Sequence, residues 1–297
     1  MKARAVFFFG FTILISTASA QADIIVSDWV EPGALQSLDG ADHIFSAIIM
    51  LETTERNRIG NSLGNSPEAD ILSARLNERT TGFMVSPCYA LTIYKGVAGG
   101  NAAENAADVL VRFSAKLDES GNFASGTALP VFWGGNEGAP SSLNDWMLLK
   151  ISACVGKVTG WFNLTPYDPA SQTGPTFDAV AYFANSGIGT LRTQEKCVVA
   201  LVNRAQITWH SSCQARPGVS GAPVFHRDGS SVPDVVGLLN GLPPGSEISE
   251  LHLGFGTMIT PIENVVPWVH DIIGEDIRAW GEENPGARTQ DAVTHVD

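Results

Sequence analysis

Short apolar runs bounded by turn-forming residues recur along most of the chain. In the first half they are Ile44–Leu51, Thr81–Ser86, Val109–Phe113 and Trp146–Ile151. In the second half they are Ala179–Phe183, Cys197–Val202, Gly221–Phe225 and Val235–Leu239. Clusters such as Gly134-Gly135-Asn136 and Arg227-Asp228-Gly229-Ser230 punctuate them. Runs of this length, rich in β-branched and aromatic residues and separated by Gly, Asn, Asp and Ser, predict an all-β sandwich or barrel. Helical spacing emerges only near the C-terminus, where Val266, Val269, Ile273 and Ile277 fall on one face. Asn264 is the expected N-cap, Pro267 falls in the first turn, and Gly274 is expected to end or weaken the helix. No repeat of fixed period and no low-complexity block interrupts this pattern.

The start of the chain follows a different pattern. Lys2 and Arg4 precede an apolar run from Ala5 to Ile15, and Ala18-Ser19-Ala20 fits the small-residue rule for cleavage before Gln21. Residues 1–20 therefore read as a secretory signal, and the expected compartment is periplasmic or extracellular. No later stretch approaches the roughly 20 apolar residues of a membrane span. Residues 21–40 read as an N-terminal arm or a removable pro-segment, and 281–297 as a polar tail.

The formal net charge is −13, with 18 basic against 31 acidic residues. Such a surface repels nucleic acid and anionic lipid, so neither is expected as a partner. No EF-hand or dense carboxylate loop appears, and none of the four cysteines lies in a CxxC pair, so neither a metal nor another cofactor is expected. An even number of cysteines in an exported chain favours disulfides, with three possible pairings. Cys197 and Cys213 flank one candidate hairpin, which leaves Cys88 for Cys154.

Three segments carry the chemistry, in order. Thr81-Gly82-Phe83-Met84-Val85-Ser86-Pro87-Cys88-Tyr89-Ala90-Leu91-Thr92 resembles the strand leading to the catalytic histidine of the trypsin-like (chymotrypsin-fold) serine peptidases, in particular their bacterial exported branch. Asn144-Asp145-Trp146-Met147-Leu148-Leu149-Lys150 resembles that family's aspartate segment, and Arg216-Pro217-Gly218-Val219-Ser220-Gly221-Ala222-Pro223 its nucleophile loop. The resemblance implies two six-stranded antiparallel barrels, at 41–152 and 153–262, with a closing helix at 263–280. It also implies Ser220 as nucleophile, Asp145 as the buried partner of the base, and the N–H groups of Gly218 and Ser220 as the oxyanion hole. The residue six before the nucleophile, which sets charge preference in this family, is the uncharged Gln214. Leu239, Asn240 and Gly241 lie where the family places a wall of its substrate cleft, and the same strand reads equally well as core.

The departure is at the base. Where the family reads Leu-Thr-x-x-His, this chain reads Leu91-Thr92-Ile93-Tyr94-Lys95. His210 and His226 flank the nucleophile loop in sequence and are the candidates for a relocated base. A lysine must be neutral to accept a proton, and bringing an amine from about 10.4 to about 7 costs close to 4.6 kcal/mol. A neighbouring carboxylate makes that harder, so a Lys95–Asp145 ion pair is the expected arrangement, with Ser220 left unactivated. The leading expectation is a catalytically impaired peptidase homologue that binds a peptide or protein. The alternatives are an active endopeptidase using Lys95 or a relocated histidine, and a structural or inhibitor-like protein on the same fold. The oligomeric state is not legible.

Overall fold

A computed structural model describes residues 45–55, 78–98, 109–116, 123–134, 144–167, 176–183, 190–203, 208–214, 216, 218–226, 232–240 and 257–285. The expected signal (1–20), the arm or pro-segment (21–40), the tail beyond residue 285 and Gly241 lie outside the described residues.

The first half forms a closed antiparallel barrel. Its strands are β1 (Ile48–Glu55), β2 (Glu78–Met84), β3 (Tyr89–Thr92), β4 (Val109–Lys116), β5 (Phe123–Trp133) and β6 (Met147–Ile151), in the order β1-β2-β3-β6-β5-β4. A five-residue helix, α1 (Tyr94–Ala98), follows β3. Alternation explains β4, where Val111, Phe113 and Ala115 are buried and Arg112 between them is exposed. Ile48, Ile49, Met50 and Leu51 of β1 are all buried, because this strand is covered on both faces. Pro130 sits beside a register shift in β5, where a missing N–H breaks no regular ladder bond.

The second half is an eight-stranded sheet preceded by a single helical turn, α2 (Gly156–Thr159). Its strands are β7 (Asn163–Leu164), β8 (Phe177–Phe183), β9 (Thr190–Cys197), β10 (Val199–Asn203), β11 (Thr208–Ser211), β12 (Pro223–His226), β13 (Asp234–Leu239) and β14 (Thr257–Pro261). The order is β10-β11-β14-β13-β12-β8-β9, with β7 running parallel beside β13. The two end strands, β9 and β10, are joined through Val198. Ser212 bonds both the N–H and the carbonyl of Val198, at 2.8 and 2.9 Å. The Cys197–Cys213 disulfide lies at the same join, and Cys88–Cys154 links the β2–β3 turn to the segment after β6.

Helix α3 (Val266–Glu283) follows a 3-10 turn at Ile262–Asn264. The periodicity placed its buried face correctly at Val269, Ile273 and Ile277. Three local expectations are corrected. Asn264 lies in the 3-10 turn, and Val265 holds the cap position without a side-chain bond. Gly274 does not end the helix, because the apolar stripe on either side continues to pack. The helix also runs three residues past 280. Asp276 fastens α3 to the first barrel, accepting from Ser86 Oγ at 2.6 Å and from the Cys88 N–H at 2.8 Å. Among strands, the first run begins at Ile48 rather than Ile44, since Phe45 and Ser46 are in a helical turn. The Cys197–Val202 run is divided at Val198 between β9 and β10.

One continuous core fills the first barrel, the seam between the halves and the underside of α3, while a smaller one fills the second sheet. At the seam, Phe162 packs edge-on to Phe83 of β2 at 5.6 Å and against Phe225 of β12 at 5.5 Å between centroids. This contact sets β2 beside β12, so the end of β3 and the loop before β12 come together.

Candidate active site

Antiparallel pairing builds the first half of the site. Thr92, the last residue of β3, pairs with Met147, the first of β6. Residues just after Thr92 therefore face residues just before Met147, and this brings Lys95 to Asp145. The Asp145 carboxylate is fully buried. Its Oδ1 accepts the Lys95 N–H at 2.9 Å, and its Oδ2 lies 3.5 Å from Lys95 Nζ. Oδ2 accepts no hydrogen bond among the described residues, so the ammonium meets it as an ion pair. Burial pushes the Asp145 carboxyl above the ordinary aspartate range, against the opposing pull of the Lys95 N–H and ammonium. Burial also raises the neighbouring Tyr94 phenol, and the charge on Asp145 adds to that. Lys95 keeps 43% of its side chain exposed.

A second tie reaches Asp145 from the other half of the molecule. Thr260 Oγ1 donates to the Asp145 carbonyl at 3.2 Å and accepts from Asn240 Nδ2 at 3.1 Å. Asn240 is thus a buried bracing residue. Leu239 is fully buried in the smaller core, and it is its backbone that meets the serine loop, exchanging bonds with Gly221 and Ala222 at 2.7 and 2.9 Å.

The serine loop is held tightly. The Val219 N–H bonds the Arg216 carbonyl at 3.1 Å, and the Ala222 N–H bonds Val219 at 2.9 Å. Gly221 has φ +81°, and a Cβ there would stand 2.2 Å from the Thr81 carbonyl and 2.4 Å from Thr92 Oγ1. Glycine is required on both counts. Gly218 is also left-handed, at φ +96°. Strand β2 clamps the outer side of the loop. Thr81 Oγ1 donates to the Gly218 carbonyl at 2.7 Å, while the Ser220 carbonyl accepts from the Thr81 N–H at 2.9 Å and from Thr80 Oγ1 at 2.5 Å. The N–H groups of Gly218 and Ser220 are left without a partner among the described residues. The Ser220 hydroxyl likewise bonds to none of them, Lys95 included.

Lys95 and Ser220 nevertheless belong to one place. A Cβ on Gly96, next to Lys95, would stand 2.7 Å from Thr80 Oγ1, and that hydroxyl bonds the Ser220 carbonyl. The structure brings Lys95, Asp145, Gly218 and Ser220 together around the edge of β2. Gln214 lies on the approach to the loop, its N–H bonded to Gln194 Oε1 at 2.8 Å and its Oε1 to Arg216 Nη2 at 3.0 Å. His226 is carried away along β12, roughly 10 Å beyond Pro223 at the rise of a strand, and its ring packs against Phe177 at 6.0 Å. His270 pairs with Asp271 on exposed α3. Thr80, Thr81, Thr260 and Arg216 escaped the sequence reading. A pair of threonines in a strand has no mark that separates a clamp from ordinary β-sheet surface.

The chain has the fold of the chymotrypsin-like serine proteases. It superposes on the scabies mite inactivated protease paralogue S-I1 with a TM-score of 0.50 at 15% identity, covering 80% of this chain and 98% of that one. Deg5 aligns with a TM-score of 0.49 at 13% identity, over 82% and 97% of the two chains. An HtrA-type protease solved with a tripeptide aligns with a TM-score of 0.46 at 13% identity, over 80% of this chain, which spans 64% of that one. No family model matches the sequence, and no curated protein matches it either.

Proposed function

We propose that the chain is an exported, catalytically impaired serine-peptidase homologue whose cleft binds peptide without cutting it efficiently. The observation that carries this reading is the Lys95–Asp145 pair, with Nζ 3.5 Å from Oδ2 and the Ser220 hydroxyl bonded to neither. In the family the chain resembles, a histidine takes the serine proton and the aspartate steadies the cation that forms. Here a lysine paired with the carboxylate takes that cation's place, and an ammonium has no lone pair to offer. Serine at its ordinary acidity is a poor nucleophile. Binding and an intact oxyanion hole alone give only about 10³–10⁴-fold acceleration over water. The free N–H groups of Gly218 and Ser220 fit such a hole, which supports retained binding beside lost chemistry.

Treatment with a serine-reactive fluorophosphonate tests this, with Ser220→Ala as the control. Expected is slow labelling at Ser220 and no measurable peptide cleavage. Fast labelling that Ser220→Ala abolishes, together with cleavage, overturns the proposal. Lys95→His should restore part of the missing rate, on the order of 10²-fold for one positioned general base. No gain in rate would place the defect beyond the base.

A further inference from the structure

Helix α3 leaves its largest side chain in solvent. Trp268 is 60% exposed in the first turn, turned away from the buried stripe of Val269, Ile273 and Ile277. The ring is nevertheless held. It stacks on Phe132 of β5 at 5.9 Å and 24°, and Phe132 stacks in turn on the fully buried Trp146 at 5.9 Å and 22°. Three nearly parallel rings thus run from the core to the surface. Strand β5 extends the apolar surface, with Val131 39% and Leu129 61% exposed, within about 10 Å of Phe132 at the rise of a strand. Of the four large apolar side chains exposed among the described residues, three lie here, and the fourth is Val158 in α2. A held, exposed tryptophan beside further apolar residues marks an interaction surface, and tryptophan is among the side chains that most often anchor one.

Charge selects what covers it. The helical period sets Asp271, Glu275 and Glu282 on the same side of α3 as Trp268, and all are exposed. Glu275 and Glu282 form no ion pair among the described residues, and Asp271 meets the His270 ring at 3.1 Å. Arg278, the only lysine or arginine of α3, turns its Nε back onto the Gly274 carbonyl at 3.3 Å. The chain carries a net charge of −13, so a second copy laid against this side is repelled and a basic segment is attracted. A guanidinium meets both parts of the surface at once, since it stacks flat on an indole while donating in its own plane to a carboxylate.

We infer that the exposed side of α3 and the adjoining part of β5 form a docking surface for a basic, arginine-bearing segment of another protein. One arginine stacks on Trp268 with Asp271 a turn away. Further basic residues meet Glu275 and Glu282 along about 21 Å of helix at roughly 1.5 Å per residue, and apolar residues of the segment cover Val131 and Leu129. The surface does not depend on the Ser220 cleft and holds whether or not that cleft binds peptide.

The test uses the intact protein and a fluorescein-labelled peptide, Gly-Arg-Leu-Arg-Gly-Leu-Arg-Gly, with two companions in which every arginine is replaced by lysine or by glutamine. Anisotropy should show the arginine form binding, the lysine form several-fold more weakly and the glutamine form about tenfold or more weakly, with affinity falling as salt rises. Trp268→Ala should weaken the arginine form about fivefold or more. Glu275→Lys should weaken it several-fold and flatten the salt dependence. Both side chains are exposed, and Glu275→Lys carries the test alone where Trp268→Ala disturbs the ring stack and folds poorly. Affinity unchanged by these substitutions places the peptide elsewhere and overturns the proposal. Equal binding of the glutamine form, or binding of none of the peptides, overturns it as well. Self-association that Trp268→Ala abolishes makes a second copy the occupant and overturns the basic partner.

Discussion

The two halves of the candidate site match the resembled pattern to very different degrees. The serine loop in the second sheet has left-handed Gly218 and Gly221, carbonyls held by Thr80 and Thr81, and two N–H groups without a partner among the described residues. The Asp145 corner in the first barrel keeps its buried carboxylate but sets an ammonium against it. The contrast has a physical origin. The loop's geometry is locked by hydrogen bonds from the backbone and threonine hydroxyls of β2 and from the backbone of β13, so few substitutions can alter it without disturbing the seam. Lys95 is a single side chain in α1, 43% exposed, with its ammonium facing the Asp145 carboxylate. On the reading proposed above, chemistry is lost at one residue while the binding frame is retained.

Breaking the serine loop should have the largest effect. Gly221→Ala places a Cβ 2.2 Å from the Thr81 carbonyl at a φ of +81°, and should cost about 3 kcal/mol or more in urea unfolding and erase the Ser220 environment. If it folds with wild-type stability, the loop is softer than the contacts imply.

The altered half gives a smaller, pH-dependent pair of effects. The Asp145 carboxyl is raised in the folded state, so its contribution to stability is fully present below the ordinary aspartate value near 3.9 and is lost as pH rises through the folded value. Asp145→Asn should therefore gain stability relative to the native chain as pH rises. Lys95→Met leaves the carboxylate without its counter-charge and should lose about 1–2 kcal/mol over the same window, less than for a fully buried pair because Lys95 is partly in solvent. The pH-dependent part of both differences should vanish below about pH 3, where Asp145 is protonated folded and unfolded. Thermal unfolding from pH 4 to 8 follows both variants, and a pH-independent difference would remove the ion pair from the account.

The smallest effect concerns the join between the two halves. Thr80→Val keeps the shape of the side chain and removes the hydroxyl bond to the Ser220 carbonyl, at a cost of about 1 kcal/mol. The carbonyl retains the Thr81 N–H, so the fold should survive while exchange of the Ser220 amide quickens. Unchanged exchange would mean that Thr81 alone clamps the loop.

The sequence alone determined the β-rich architecture, the buried face of α3 and the three segments of the site in their order, because alternation, helical period and the Gly-Val-Ser-Gly-Ala-Pro turn are local properties. The resemblance also expects the base where Lys95 stands, since one residue out of pattern in a short motif is visible without coordinates. β5, β9, β11 and β14 escaped that reading. β5 is half exposed and carries Gly126 and Pro130, and β9 is mostly polar, so neither shows the pattern of a buried strand. What only the tertiary structure decided is how the motif's parts meet: that Asp145 is buried against the Lys95 N–H and ammonium, that Leu239 serves the core, and that Thr80 and Thr81 hold the serine loop from the opposite barrel. Those contacts join residues far apart in the chain, and the side chains that make them are of ordinary type. Their role comes from where the seam between the barrel and the second sheet places them.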